Sequence, residues 1–277
     1  MKTLSIIILS YNVKKLLLDC LASIPKHLDW EVIVVDNASS DDSGTAVKHH
    51  FPFVAVAQND KNLGFAAGNN VGIKKSVGQY ILLLNPDTIV YPNTIETVLK
   101  YMQSHPKVGA ATCRVELPDG SLDYSCHRHF PDPIGSFLHL IGLRHLSKYS
   151  STHVPNAIHE IDALVGAFAM IRRTAGDQVS WLDEDYKFNG EDIDFCYKLK
   201  EKGWKVMYIP DVKTTHFKGS SVRAIPAGRR CWAVNSTDAM RLFYSKHLAA
   251  KYPFFVNWAV YLGIKVLEIF RTMGAYF

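Results

Sequence analysis

Five short apolar runs punctuate the first 113 residues, at Leu4–Leu9, Glu31–Val35, Val54–Ala57, Tyr80–Leu84 and Val108–Cys113. Several are rich in Ile and Val and do not alternate with polar residues, the pattern of strands covered on both faces. Helical spacing fills the gaps between them. Leu17, Cys20, Leu21 and Ile24 share one face of Val13–Ile24, with Asn12 as the expected N-cap. Asp41–His50, Ala66–Val77 and Asn93–His105 are the next three predicted helices. Strands alternating with helices predict βαβ units and a single Rossmann-like, mostly parallel central sheet flanked by helices. Ligands of such sheets bind beyond the carboxyl ends of the strands, so the residues following each strand are the first suspects.

Polar groups and glycines converge there. The first run ends in Ser10-Tyr11-Asn12, the second in Asp36-Asn37, and the fourth in Asn85-Pro86-Asp87; the third leads into Asn62-Leu63-Gly64-Phe65. Asp87 leaves a run that should be buried, where a carboxylate can hold a hard divalent cation and leave positions for phosphate oxygens. An equally good reading is a plain turn in which Asp87-Thr88 caps the following helix. Asp36 reads either as a strand-to-helix connection or as an acceptor for a nucleobase N–H, with Tyr11 stacking on the base. The Gly64–Gly68 spacing is neither the dinucleotide fingerprint nor a phosphate-binding P-loop.

Further on the chain is less regular. Arg114 to Glu160 holds a Pro118-Asp119-Gly120 turn and a long His- and Pro-containing loop, Cys126 to Pro155, with one short helix. Order returns with the apolar run Ile161–Ile171, a helix over Glu191–Lys202 and a strand at Lys205–Ile209. Glu191, Asp192 and Asp194 open that helix. There they either stabilise its N-terminus or supply a general base that deprotonates a sugar hydroxyl. His216 is either a structural histidine or a further ligand of metal or phosphate.

Composition narrows the setting. The five cysteines are scattered and never spaced as Cys-x-x-Cys, which speaks against a disulfide framework or zinc site and for a reducing cytoplasm. Met1 to Leu9 lacks the small-residue cleavage site of a signal peptide. From Lys213 onward there are ten Lys/Arg against two Asp/Glu, while the rest of the chain holds twenty-one against twenty-four. The basic, apolar helical stretch from residue 226 to 277 is therefore expected to meet an anionic membrane surface from the cytoplasmic side, to pack on the main domain, or to form a homodimer. A nucleic-acid partner is not expected, since no stacking platform accompanies the basic residues.

Six segments in order, Ser10-Tyr11-Asn12, Val35-Asp36-Asn37-Ala38-Ser39, Asn62-Leu63-Gly64-Phe65, Asn85-Pro86-Asp87, Gly190-Glu191-Asp192 and His216, resemble the family 2 glycosyltransferases. The similarity is greatest to the branch containing rhamnosyltransferases, in which the usual Asp-x-Asp reads Asn-Pro-Asp. The resemblance covers roughly residues 4 to 225. It implies a GT-A fold over residues 1–225 with the helical extension after it, a divalent cation (Mg²⁺ or Mn²⁺), and inversion by one direct displacement. It implies that Asp36 binds the base, Asp87 the metal, and His216 the metal or diphosphate. By the same resemblance Asp192 is the catalytic base and Glu191 its neighbour in the acceptor site. Ser10, Tyr11, Asn12, Asn62, Gly64, Phe65, Asn85, Pro86 and Gly166 would line the donor pocket. The donor would be a nucleotide-diphosphate sugar (dTDP-rhamnose or a UDP-sugar), and the acceptor a glycan or polyprenyl-linked lipid of the cell envelope. A sugar nucleotidyltransferase would carry a Gly-rich, Arg-containing loop where Ser10-Tyr11-Asn12 stands; a non-catalytic nucleotide-sugar binder would bind donor without transferring it.

Overall fold

The run Leu-Ser-Ile-Ile-Ile-Leu-Ser forms β1 (Leu4–Ser10) in the interior of the sheet. A strand sends alternate side chains to opposite faces. Leu4, Ile6 and Ile8 enter one apolar cluster and Ile7 the other, so the run needs no polar alternation. The computed structural model describes residues 2–140, 143, 154–187, 189–218 and 228–274.

β1 pairs in parallel with β2 (Trp30–Asp36) and β4 (Tyr80–Leu84), and β2 with β3 (Ala55–Gln58). β5 (Thr88–Val90) is a short excursion after β4. β6 (Val108–Glu116) runs parallel to β9 (Lys205–His216). β8 (Phe168–Arg172) joins the two halves antiparallel, between β4 and β6. β7 (His159–Glu160) pairs with β9, and the order is β3-β2-β1-β4-β8-β6-β9-β5. α1 (Lys14–Ser23), α2 (Ser43–His50) and α4 (Thr94–Ser104) bury apolar residues in the cluster that holds Ile6 and Leu82. α3 (Phe65–Lys75), α6 (Arg173–Gln178) and α7 (Glu191–Glu201) cover the opposite face with Ile7 and Leu83. α5 (Pro133–Leu140) is the short helix expected in the long loop. The predicted α/β fold with its central sheet and flanking helices is therefore the fold observed.

The departures have local causes. Asn12 does not cap α1. Val13 occupies the cap position, while Asn12 takes φ +53° and its side chain accepts from the Ser40 N–H at 2.7 Å. The Lys14 N–H is satisfied instead by the Asp41 carboxylate, 2.9 Å away. Thr88 starts a strand, not a helix, so Asp87 is no helix cap; α4 begins six residues later. The apolar run Ile161–Ile171 is strand only from Phe168. β9 does not stop at Ile209. Its register with β6 slips between Cys113 and Arg114, which leaves Pro210 to Val212 unpaired with β6, and the strand then resumes as far as His216. A bulge is where a strand tolerates proline, whose nitrogen cannot donate.

The C-terminal stretch is helical as expected: α8 (Gly228–Phe243), a π-helical turn Tyr244–Leu248, a 3₁₀ turn Ala249–Lys251 and α9 (Phe254–Gly274). The expected boundary at 225/226 lies outside the described residues. No described helix is long and apolar enough to cross a membrane. Cys20, Cys113, Cys126 and Cys196 are free and buried.

Candidate active site

The Asn85-Pro86-Asp87 turn is fixed from both sides. The Asn85 N–H donates to the Ala167 carbonyl at 3.2 Å, and the Phe217 N–H donates to the Asp87 carbonyl at 2.8 Å. Because β5 pairs antiparallel with the end of β9, Thr88 stands opposite His216. That register places His216 Nε2 3.2 Å from Asp87 Oδ1 and 3.4 Å from Asn85 Nδ2. Both Asp87 and His216 are buried. On the other side of the ring, Nδ1 is 3.5 Å from Asp123 Oδ2. Burial alone would lower the His216 pKa, but Asp123 and Asp87 outweigh it and push it up to about 9. Burial opposes ionisation of Asp123 too, but its hydrogen bonds from His216, Ser125 and Lys218 hold its carboxyl well below the usual range. Asp123 was not a sequence candidate; nothing in its turn-like surroundings marks it, and it becomes visible only once β9 extends to His216.

A cavity of about 470 Å³ opens beside Asp87, lined also by Lys15, Asp19 and Phe217. Among the described residues no third His, Cys, Asp or Glu completes a metal cage. Asp87 nevertheless suits a cation that takes its remaining ligands from phosphate oxygens, and His216 could join it on release of the Nε2 proton, with Asp123 behind it as the carboxylate that commonly orients a ligating imidazole.

Three donor-side candidates, Ser10, Asn62 and Gly64, are joined in one hydrogen-bonded network whose hub is Asn37. Its backbone N–H donates to the Ser10 carbonyl (2.9 Å), and its side chain donates to Asn62 Oδ1 (2.8 Å) and accepts from the Leu63 N–H (3.0 Å). Asn62 Oδ1 also accepts from the Gly64 N–H at 2.9 Å. Gly64 has φ +83°, and a Cβ there would sit 2.7 Å from the Lys187 carbonyl, so only glycine fits. Asp36 is buried and accepts the Ser39 N–H at 2.9 Å, while Asn12 accepts from Ser40, which folds the Tyr11-Asn12 turn onto the loop after β2. Phe65, at the start of α3, lies over Gly166, where a Cβ would meet the ring at 2.9 Å.

The acceptor-side candidates sit at the N-terminus of α7. Asp192 Oδ2 accepts from the Arg128 guanidinium at 2.6 Å, and Arg128 also donates to the Leu164 carbonyl. Leu164 and Ala167 thus tie Asp192 and the Asn85 turn to two ends of one short segment, which spans at most about 10 Å. Glu191 is buried, and that burial, reinforced by neighbouring Asp192, pushes its carboxyl pKa up, toward the neutral acid. Arg128 was missed. It stands in the irregular Cys126–Pro155 stretch, and its two-residue bridge with Ala163 helps to bring it to α7.

The chain matches the family model described as Glycosyl transferase family 2 over residues 5–175. It is 26% identical over 213 residues to the N-acetylglucosaminyl-diphospho-decaprenol L-rhamnosyltransferase of Mycobacterium tuberculosis, covering 71% of this chain and 69% of that protein. It is 30% identical over 188 residues to the rhamnosyltransferase WbbL of Escherichia coli K12, covering 63% and 68%. Among solved structures, the mannosyltransferase PcManGT of Pyrobaculum calidifontis, in complex with GDP-Man and Mn²⁺, is 17% identical and superposes with a TM-score of 0.61 over 99% of this chain and 72% of that one. GalNAc-T7 with UDP, GalNAc and Mn²⁺ gives 0.59 at 16% identity, over 78% and 44%. The fold is that of the GT-A glycosyltransferases. The chain belongs to glycosyl transferase family 2, and within it resembles the rhamnosyltransferases.

Proposed function

We propose that this glycosyltransferase moves rhamnose, with inversion, from dTDP-rhamnose to a polyprenyl-diphosphate-linked sugar in cell-envelope polysaccharide synthesis, with a divalent cation at Asp87. The observation that carries the reading is the pairing of two chemistries across Leu164–Ala167: the buried Asp87–His216 pair at one end and Asp192 at the other. Asp87 and His216 would hold the cation, which would supply charge neutralisation for the departing diphosphate. The Asn62–Phe65 loop and Gly166 offer backbone at close approach to the donor, and Asp36 with Tyr11 would receive the base. Asp192 takes the proton of the acceptor hydroxyl as its oxygen bonds to the anomeric carbon. The bond from that carbon to the diphosphate breaks in the same step, and the nucleoside diphosphate leaves with the electron pair. Glu191, kept neutral by its surroundings, can donate a hydrogen bond to the acceptor, so two adjacent carboxyls take different roles. The likeness to a decaprenol-linked rhamnosyltransferase and to WbbL supports the sugar and the lipid-linked acceptor. The test is transfer itself. With dTDP-rhamnose, Mg²⁺ or Mn²⁺ and polyprenyl-diphosphate N-acetylglucosamine, the protein should form a rhamnosylated lipid, and chelation should stop it. Absence of product with every combination of donor and metal contradicts the reading.

A lipid-linked acceptor sits at a membrane, and α9 is suited to reach one from the cytoplasmic side. Its outward face carries Phe254, Phe255, Trp258, Leu262, Phe270 and Met273, all exposed, with Lys265 among them, and α9 packs against α5, whose Ile134 is also exposed. Exposed aromatic residues on the last helix of a basic C-terminal stretch suit an anionic interface. The protein is expected to float with phosphatidylglycerol vesicles at low salt. Trp258→Ser should weaken that binding about tenfold or more, given roughly 1.5–3 kcal/mol for a fully buried large apolar side chain. No flotation, or no effect of Trp258→Ser, contradicts the membrane reading; self-association through the same face would depend on protein concentration and not on vesicles.

A further inference from the structure

The helix that carries Glu191 and Asp192 is gripped from outside the sheet. The grip comes from the π-helical turn Tyr244–Leu248 and the 3₁₀ turn after it. π turns are rare, and they are frequent at functional sites. This one directs His247 inward, where Nε2 lies 2.6 Å from Asp194 Oδ1. Asp194 is only 1% exposed, so an unpaired carboxylate there would be costly. Its other oxygen faces Lys198 at 2.9 Å, and the Tyr186 hydroxyl donates to Oδ1 at 3.4 Å. The His247 ring rests against Tyr197 of α7 and Phe243 of α8. Neighbouring contacts act on the same elements. Lys246 pairs with Asp183 at 2.5 Å and Asp185 at 2.7 Å, in the loop that leads to α7, and Lys251 donates to the Tyr197 hydroxyl.

We infer that His247 is a positioning residue for transfer: through Asp194 it fixes the first turns of α7 and so the place of Asp192 relative to the donor. Asp194 lies two residues beyond Asp192, so a tilt of the helix start moves both. His247 meets Asp194 and Tyr197 of α7 and Phe243 of α8, not the donor-side candidates among its described hydrogen bonds and ring contacts, so the effect falls on turnover. The C-terminal helices thus act on the active site mechanically, by holding α7. The inference rests on Asp192 being the base.

The experiment compares His247→Ala and His247→Gln in the full chain, with folding followed by thermal melting. A displacement of about 1 Å at a catalytic group can cost on the order of 10²-fold in rate. His247→Ala should therefore lower kcat by about tenfold or more at unchanged donor KM. His247→Gln, which keeps an N–H donor, should recover most of it. In an Asp192→Asn background, His247→Ala should cause no further loss, because both changes act on one proton transfer. Unchanged kcat in folded His247→Ala, losses that multiply in the double variant, or failure of both single variants to fold would each overturn the inference. An active Asp192→Asn enzyme would instead overturn the base assignment and leave the contrast between the two His247 variants standing.

Discussion

Asp192→Asn is expected to stop glycosyl transfer while the protein still binds its donor. The amide is nearly isosteric with the carboxylate and can still accept a hydrogen bond from Arg128, which donates to Asp192 at 2.6 Å in the native protein. What it cannot do is take a proton from the acceptor hydroxyl. A positioned general base is worth roughly 10²–10⁴ in rate, so kcat should fall by that order. A side effect must be separated from this one. Arg128 would exchange a charged hydrogen-bond acceptor for a neutral one, a loss of about 0.5–1.5 kcal/mol, while it keeps its bond to the Leu164 carbonyl. Since the Arg128 side chain keeps 22% exposure, that cost should lie at the low end, visible as a modest fall in melting temperature and not as unfolding. Transfer near the wild-type rate in a folded Asp192→Asn protein would remove Asp192 from the mechanism.

Asp87→Ala should uncouple donor binding from the metal. The loss leaves His216 with Asp123 alone, 3.5 Å from Nδ1, and with Asn85 at 3.4 Å, so the histidine keeps polar neighbours and the fold should hold. The cation would lose one of the two protein groups proposed to hold it. Charge neutralisation of a leaving diphosphate is worth several kcal/mol, and each ~1.4 kcal/mol is tenfold in rate, so kcat/KM should drop about 10²-fold or more. Saturation with Mn²⁺ should recover little of it. Unaltered kcat/KM would show that Asp87 belongs to the turn and nothing else.

Much of this architecture is legible in the chain because its signals are local. β4 begins and ends where the Tyr80–Leu84 run does, and α7 begins at Glu191, after a glycine with positive φ. What escapes local reading is what depends on pairing at a distance. β5 has three residues and exists because β9 bulges at Pro210 and continues to His216 opposite Thr88. That one register converts the Asn85–Asp87 motif from a turn into half of a polar site. Asp123 and Arg128 are invisible for the same reason: their neighbours in sequence carry no periodicity, and their partners lie 93 and 64 residues away. Asn12 misleads in the other direction. It has the chemistry of a helix cap, yet the backbone turns left-handed there and Asp41 from the next loop supplies the oxygen. Asn37, beside the expected Asp36, proves to be the hub that holds the Gly64 loop, a role that requires knowing that β2 and β3 are neighbours.

The most direct test of a metal-assisted nucleotide-sugar site at Asp87 is a thermal-shift titration of the wild-type chain and Asp87→Ala with dTDP-rhamnose and UDP-sugars, each with Mn²⁺, Mg²⁺ or a chelator. A donor present at a hundred times its Kd stabilises by about 2.7 kcal/mol, which for a chain of this size is a rise of about 5 °C or more. That rise should appear in the wild type with dTDP-rhamnose and a divalent cation, shrink on chelation, and be absent in Asp87→Ala. Equal shifts in both proteins, indifferent to the metal, or no shift with any nucleotide sugar, would contradict it.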